Sequence, residues 1–190
     1  MMVTIAQLWI PIVGGGLLAW VASGLIHMVV KYHNSDYRQL ANEDEVAAAL
    51  AAGSPEPGLY TIPHCADMSQ MNDEAMQRKF TEGPVAFVTV FPKGLPKMGN
   101  LMGQQVAHFI VGFAIIGWCA TLALQPGAEY MTVFQFVAVV GFLTFGWAQI
   151  PMSIWYGHLW STTFKFLVDA AIYALLAAGL FAWLWPDVGA

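Results

Sequence analysis

Two histidines in the apolar part of the sequence could bind a cofactor. His27 lies near the end of the first long apolar segment, and His108 lies near the start of the second. Counted at 1.5 Å per residue from the polar residues Lys31 and Gln104, both imidazoles lie roughly 6 Å inside an apolar region. A histidine pair at matched depth could ligate a haem axially or supply half of a transition-metal site. We therefore treat His27 and His108 as candidate cofactor ligands.

Several other polar residues are expected at a similar level or just outside it, and they form a candidate polar cluster: Gln149, His158, Lys165 and Asp169. Lys165 and Asp169 share one helix face because they are four residues apart. Ionisable groups in a membrane are costly and usually face the interior of a bundle, which makes them candidates for a functional site. The simpler alternative is structural: the two charges neutralise each other, or the lysine reaches the lipid headgroups.

A second candidate metal site lies in the polar part of the chain and comprises His64, Cys65, Met68 and Met71. Imidazole and soft sulfur ligands suit Cu(I). Residues 64, 68 and 71 would share a face if this segment were helical. Packing of the methionines against neighbouring apolar surface is the simpler interpretation.

No catalytic residue is predicted, and we favour a non-enzymatic role. The sequence contains no HExxH, GxSxG, CxxCH or phosphate-binding glycine loop, so the usual signatures of zinc and serine hydrolases, c-type haem proteins and nucleotide-binding proteins are absent. An enzyme acting on a lipid or quinone is an alternative. It would require a pocket between the apolar helices lined by His27, His108, Tyr156 and Asp169.

Four long apolar segments must position these residues. Of the 190 residues, 58% are hydrophobic and 10% are charged, and a membrane-spanning helix requires about 20 apolar residues. Segments of this kind cover residues 5–30, 106–124, 131–150 and 163–185. The first is too long for a signal peptide and has no basic n-region, so we expect a retained span. The sequence thus predicts an all-α membrane protein with four transmembrane helices.

The predicted organisation is a first transmembrane helix at 1–31, an extramembrane loop region at 32–104, and three further transmembrane helices at 105–190. Within the loop region, Asn42 and the acidic residues after it predict one capped helix. A second helix is predicted from Asn72 to about Phe80. Residues 85–91 have the composition of a strand. Because a lone strand is marginal, we expect this segment to lie on the membrane surface or against the helices.

The first span has a stripe of small residues, Gly15, Ala19 and Ser23, at i, i+4 spacing. Small residues allow membrane helices to approach closely, so this face is expected to contact another helix. His27 continues the stripe. We therefore expect the rings of His27 and His108 to face the bundle interior, within one polar cluster that includes Asp169 or Gln149.

The charge distribution limits the partners and predicts the orientation. A net charge of −5 with no basic block argues against nucleic-acid binding. All lysines and arginines except Lys165 lie between residues 31 and 97. The positive-inside rule therefore predicts a cytoplasmic loop region and two external termini. Cys65 and Cys119 are far apart and form no disulfide framework or CxxC motif.

The chain resembles a group of small bacterial four-span inner-membrane proteins to which no activity is assigned. The segments that carry the likeness are GLIHMVVKYHNSDYRQLANEDEV (24–46), YTIPH (60–64), GPVAFVTVFPKG (83–94) and SIWYGHLWSTTFKFLVDAAIYALLAAGLFAWLWP (153–186). The likeness extends over most of the chain, from the first of these segments to the last. The resemblance implies a multi-pass protein of the bacterial cytoplasmic membrane and transfers no active site.

These observations favour an accessory or scaffolding subunit of a larger membrane complex, respiratory or photosynthetic, with lipids and other membrane subunits as partners. The first alternative is a membrane protein that binds a transition metal or haem on its histidine-rich face. The second is the membrane enzyme acting on a lipid or quinone.

Overall fold

The computed structural model describes residues 2–189 and contains seven α-helices and two strands within that range. The helices are α1 (Trp9–Leu25), α2 (Glu43–Ala52), α3 (Glu74–Glu82), α4 (Met98–Ala123), α5 (Tyr130–Phe145), α6 (Ile150–Trp155) and α7 (Trp160–Trp183). The strands are β1 (Gly58–Ile62) and β2 (Ala86–Val90).

Four helical segments are long and apolar enough to cross a membrane: Ile5–Val30, Met98–Ala123, Tyr130–Trp155 and Trp160–Trp183. This result confirms the predicted all-α membrane fold with four spans. The second segment begins at Met98 rather than at residue 106. Its first two turns contain asparagine, glycine and glutamine, so they continue the helix without adding to the apolar run.

The first span is not a regular α-helix along its whole length. A 3₁₀ turn at Ile5–Leu8 precedes α1, and a π-helical turn at Ile26–Val30 follows it. Lys31 then adopts the left-handed conformation, with φ of 58°. This break ends the span and leads into a second 3₁₀ turn at Tyr32–Asp36. Single π turns occur frequently at functional sites.

The four spans form a closed bundle in which α1 packs between α4 and α7, and α5 packs against both α7 and α4. Small residues permit the close contacts. A Cβ at Gly16 would lie 3.1 Å from the backbone of Ile110, and one at Gly141 would lie 3.3 Å from the backbone of Ala174. Aromatic and aliphatic side chains fill the core, including Phe109, Phe113, Ile116, Val137 and Phe181.

Residues 38–96 form a separate compact unit, while the described residues 2–37 and 97–189 form the membrane unit. The boundary is narrower than the predicted loop region of 32–104, because the segment 32–37 and the first turns of α4 belong to the membrane unit. The turn Tyr32–Asp36 therefore belongs to the same unit as the bundle helices.

The 38–96 unit contains both predicted helices and an antiparallel sheet in which Tyr60 lies opposite Val88. The expectation of a lone strand at residues 85–91 is therefore wrong, since β2 pairs with β1. Asn42 occupies the N-cap position of α2 but makes no side-chain capping bond. At α3 the cap is Asp73 rather than Asn72, because the Asp73 carboxylate accepts from the Ala75 amide at 3.2 Å.

Candidate metal centre at the end of the first span

The turn Tyr32–Asp36 is held against α7 by the ammonium group of Lys165. Lys165 Nζ donates to the Tyr32 carbonyl oxygen at 2.9 Å, to Ser35 Oγ at 2.7 Å and to Asp36 Oδ1 at 2.5 Å. Three acceptors on one short turn satisfy all three donors of an ammonium group. The contacts hold this turn, which includes His33, next to α7.

His33 is buried and contacts two carboxylates. Its Nδ1 lies 2.8 Å from Asp36 Oδ2, and its Nε2 lies 2.9 Å from Asp169 Oδ2. Asp169, on α7, is also buried, and its other oxygen accepts a hydrogen bond from the Tyr32 hydroxyl. The ring of Phe166 packs against His33 at a centroid distance of 4.7 Å. Residues far apart in sequence thus form one buried polar cluster.

Asp36 is negatively charged at neutral pH. Burial by itself would raise the pKa of its carboxyl, but hydrogen bonds from Lys165 and His33 outweigh burial and hold the pKa below the ordinary value of 3.8. Because an ionised carboxylate can only accept, His33 Nδ1 must carry the hydrogen of this bond. A neutral His33 therefore directs the lone pair of Nε2 at Asp169.

His27, at the end of the first span, has the same arrangement of ring nitrogens. Its Nδ1 lies 2.9 Å from the Ser23 carbonyl oxygen, which can only accept, so Nδ1 is the protonated nitrogen. A neutral His27 consequently has its lone pair on Nε2. The imidazole lies over that of His33, with centroids 4.8 Å apart and planes 2° from parallel. One face of His27 is therefore in the cluster, while the side chain remains exposed.

Three residues of the cluster could hold a metal ion. His27, His33 and Asp169 each offer one ligand atom, and these atoms all lie within 4.8 Å of one another. Metal-binding histidines usually donate their other ring N–H to a carbonyl or carboxylate, which fixes the tautomer and orients the ring. Ser23 and Asp36 have this role here, and the Tyr32 hydroxyl orients Asp169.

A proton could take the place of the metal. His33 Nε2 and Asp169 Oδ2 are both acceptors when His33 is neutral and Asp169 is ionised, so a separation of 2.9 Å requires a proton or a cation near them. If His33 carried both protons, it and Lys165 would balance Asp36 and Asp169. No buried side-chain nitrogen or oxygen among the described residues lacks a partner. The geometry therefore supports either a metal centre or a neutral ion network.

A cavity of about 680 Å³ opens beside the cluster. His27 and Asp169 line it, as do Gln105 and His108 on α4 and Tyr173 on α7. His108 packs against the rings of Phe109 and Phe145, at centroid distances of 5.6 Å and 5.7 Å. The two histidines of the predicted haem site thus line one cavity, but His27 forms a hydrogen bond with Ser23 and stacks on His33.

The alternative in which Lys165 and Asp169 neutralise each other is wrong. Lys165 pairs with Asp36, and Asp169 contacts Tyr32 and His33. The i, i+4 spacing placed both side chains on one face, but each has a partner from the turn after the first span. The cluster is therefore a contact between two segments that are distant in sequence, not an ion pair within α7.

Gln149 and His158 were the two other members of the predicted polar cluster. Among the described residues, neither forms a side-chain hydrogen bond with Asp169 or Lys165. Gln149 ends a short 3₁₀ turn before α6, and His158 lies in the connection before α7. Tyr156, which we expected in a pocket with His27 and His108, is not among the residues lining the cavity.

The second predicted metal site has no continuous helix to bring its ligands to one face. Residues 64–67 are irregular, and a 3₁₀ turn begins only at Met68. His64 Nδ1 is hydrogen bonded with Thr61 Oγ1 at 3.1 Å, and the Cys65 thiol donates to the Asp67 carbonyl oxygen at 3.1 Å. The shared face assumed for 64, 68 and 71 is therefore wrong.

The sequence interpretation did not identify Tyr32, His33 and Asp36 as site residues. A usable signal was present, because a His-x-x-Asp spacing follows the first apolar segment directly. In a 3₁₀ turn, side chains three residues apart lie on the same side, which allows Asp36 to contact His33. The long-range partner Asp169 could not be assigned from that spacing.

No protein-family model, curated protein or solved structure matches this chain. The four apolar helices define it as a multi-pass integral membrane protein.

Proposed function

We propose that this membrane protein binds a divalent transition metal through His27, His33 and Asp169. The observation that carries the proposal is the convergence of three ligand atoms within 4.8 Å. Each ligand also has a partner that orients it: Ser23 for His27, Asp36 for His33 and Tyr32 for Asp169. Outer partners of this kind are typical of metal sites.

The ligand set of two imidazoles and one carboxylate suits Zn²⁺ or Fe²⁺. Three protein ligands leave at least one coordination position open, as in metal sites that exchange ligands. Structural zinc sites, in contrast, have four protein ligands. The two imidazole rings are parallel. A metal in the plane of both rings therefore requires His27 to turn, and its exposed side chain has room to do so.

This proposal replaces the predicted His27–His108 haem pair with a centre that uses His33. It also makes the metal-binding alternative the preferred function, ahead of the accessory subunit. The neutral ion network supports the accessory role as second candidate, since a network without unpaired groups can simply fix α7 against the end of the first span. A measurement of metal binding distinguishes the metal-binding function from the accessory role.

The test is a Co²⁺ titration of the purified protein in lipid nanodiscs, followed through the visible d–d bands of the ion. We expect one Co²⁺ per chain. His33→Ala and Asp169→Ala should each weaken binding at least 100-fold, because each removes a ligand and leaves a buried partner unpaired.

The matched control is His64→Ala, which removes the histidine of the other candidate site. It should leave Co²⁺ affinity unchanged. The proposal is wrong if the wild-type protein shows no d–d bands, or if His64→Ala weakens binding as much as His33→Ala. In the first case, the ion network and the accessory role are favoured.

A further inference from the structure

The cavity beside the candidate metal centre lies between α1 and α4. At Gly16 the two helices are in close contact, since a Cβ there would meet the Ile110 backbone. Toward the end of the first span, the cavity of about 680 Å³ occupies the space between residues 20–29 and residues 101–109. It is far larger than the roughly 30 Å³ that one water occupies, and it falls in the size range of small-molecule sites.

The walls of this cavity are apolar and belong to membrane-spanning helices. Trp20, Leu25 and Met28 contribute from the first span, and Leu101 and Met102 contribute from α4. Leu25 is 54% exposed, Met28 is 61% exposed and Leu101 is 50% exposed. Because these side chains lie in segments that cross the membrane, apolar chains are the natural neighbours of the walls.

Polar groups are few and are concentrated around the candidate metal centre. His27 and Asp169 reach the cavity from the cluster, and Gln105 and His108 reach it from α4. Gln105 and His108 are both exposed, and each can donate a hydrogen bond. Apolar walls with a few converging polar groups are typical of sites that bind a mostly apolar ligand in one orientation.

We infer that the cavity binds an amphiphile whose head presents oxygen donors to the metal and whose tail lies along the apolar wall. This inference rests on the proposed metal site, whose open position supplies the attachment point for the head. Gln105 and His108 would donate to a second oxygen of the head. Isoprenoid quinols and single-chain carboxylates both carry oxygen donors at the end of an apolar tail, and their head groups distinguish them.

The test uses Co²⁺-loaded protein in nanodiscs and two hydroxamates with the same chelating head. Dodecanohydroxamate has a long tail and acetohydroxamate has none. In the wild-type protein, the long-chain compound should perturb the d–d bands at a concentration at least tenfold lower than the short one.

The key variant is Gly24→Phe, which fills the cavity from the α1 side. A Cβ at Gly24 would meet only the flexible end of Met28, at 3.6 Å, so the larger side chain can be accommodated. Gly24→Phe should retain Co²⁺ affinity and weaken dodecanohydroxamate binding by roughly tenfold or more, because each lost methylene contact is worth about fourfold. Comparing protein variants in the same nanodiscs cancels partitioning of the probe into lipid.

Leu18→Phe, on the same helix but outside the cavity lining, is the matched control and should bind both probes like the wild type. Competition by decylubiquinol or by dodecanoate then distinguishes the two kinds of head, and either result supports the inference. If Co²⁺ binds but Gly24→Phe leaves long-chain binding unchanged, the inference is overturned and the metal site stands. If no d–d bands form in the wild type, the proposed function itself has failed.

Discussion

The contact of Lys165 with the turn Tyr32–Asp36 gives a prediction whose size follows from the structure. Lys165→Met keeps most of the side chain's length but removes all three hydrogen bonds of the ammonium group. Asp36 then remains as a carboxylate with a side chain only 7% exposed. His33 and Thr162 remain as its side-chain hydrogen-bond donors.

Breaking a buried ion pair by removing one partner costs about 3–5 kcal/mol. Two features reduce the cost here. The Lys165 side chain is 21% exposed, and His33 continues to satisfy one oxygen of Asp36. We therefore expect Lys165→Met to lower the free energy of unfolding of the bundle by about 2–3 kcal/mol.

The assay is reversible unfolding in mixed micelles, titrated with SDS and followed by tryptophan fluorescence. The exposed Lys93, in the 38–96 unit, provides the control Lys93→Met, which should change stability by no more than about 0.5 kcal/mol. Combining Lys165→Met with Asp36→Asn should cost about 1–2 kcal/mol less than the sum of the two single changes, because no unpaired charge remains. Additive effects, or equal effects of Lys165→Met and Lys93→Met, would refute the reasoning.

Three further predictions address pH, packing and topology. Since the pKa of Asp36 is lower in the folded protein than its ordinary value of 3.8, its stabilising effect is present above about pH 3.8 and is lost as pH falls through the folded-state pKa; unfolding titrations should show the wild type losing stability relative to Asp36→Asn in that acid range, and an equal acid loss in both proteins would contradict the assignment. Gly16→Leu should destabilise the bundle by about 1–3 kcal/mol in the same SDS titration, because its Cβ would lie 3.1 Å from the Ile110 backbone, whereas Gly103→Leu, with nothing within 4 Å, should not. If the 38–96 unit is cytoplasmic, as the distribution of basic residues predicts, a membrane-impermeant thiol reagent should label Cys65 only after the cells are opened, and labelling in intact spheroplasts would reverse the orientation.

The sequence alone was sufficient to determine the four membrane spans. In hydrocarbon every backbone amide must be hydrogen bonded within the chain, so a run of about 20 apolar residues can span only as a helix. The same local geometry determined that Lys165 and Asp169 share a face of α7, because four residues complete roughly one turn. It also indicated that small residues on the first span would permit close helix contacts. These features depend on neighbours in sequence.

The pairing of β1 with β2 depended on contacts that local patterns do not specify. Residues 85–91 had a recognisable strand composition, but β1 is a short run that precedes Pro63 and lies well before β2 in the chain. A strand acquires its stability from a partner, and neither segment alone indicates which residues will supply the partner's hydrogen bonds. The sheet was therefore missed.

The candidate site was decided by tertiary structure in the same way. The sequence identified His27, Lys165 and Asp169 as polar residues near one membrane face, but it paired Lys165 with Asp169. The left-handed residue Lys31 ends the first span, and the turn after it lies against α7, where its side chains become the partners of both ions. Charges of opposite sign on one helix face identify possible partners only, and the choice depends on which other donors and acceptors the fold brings within hydrogen-bonding distance.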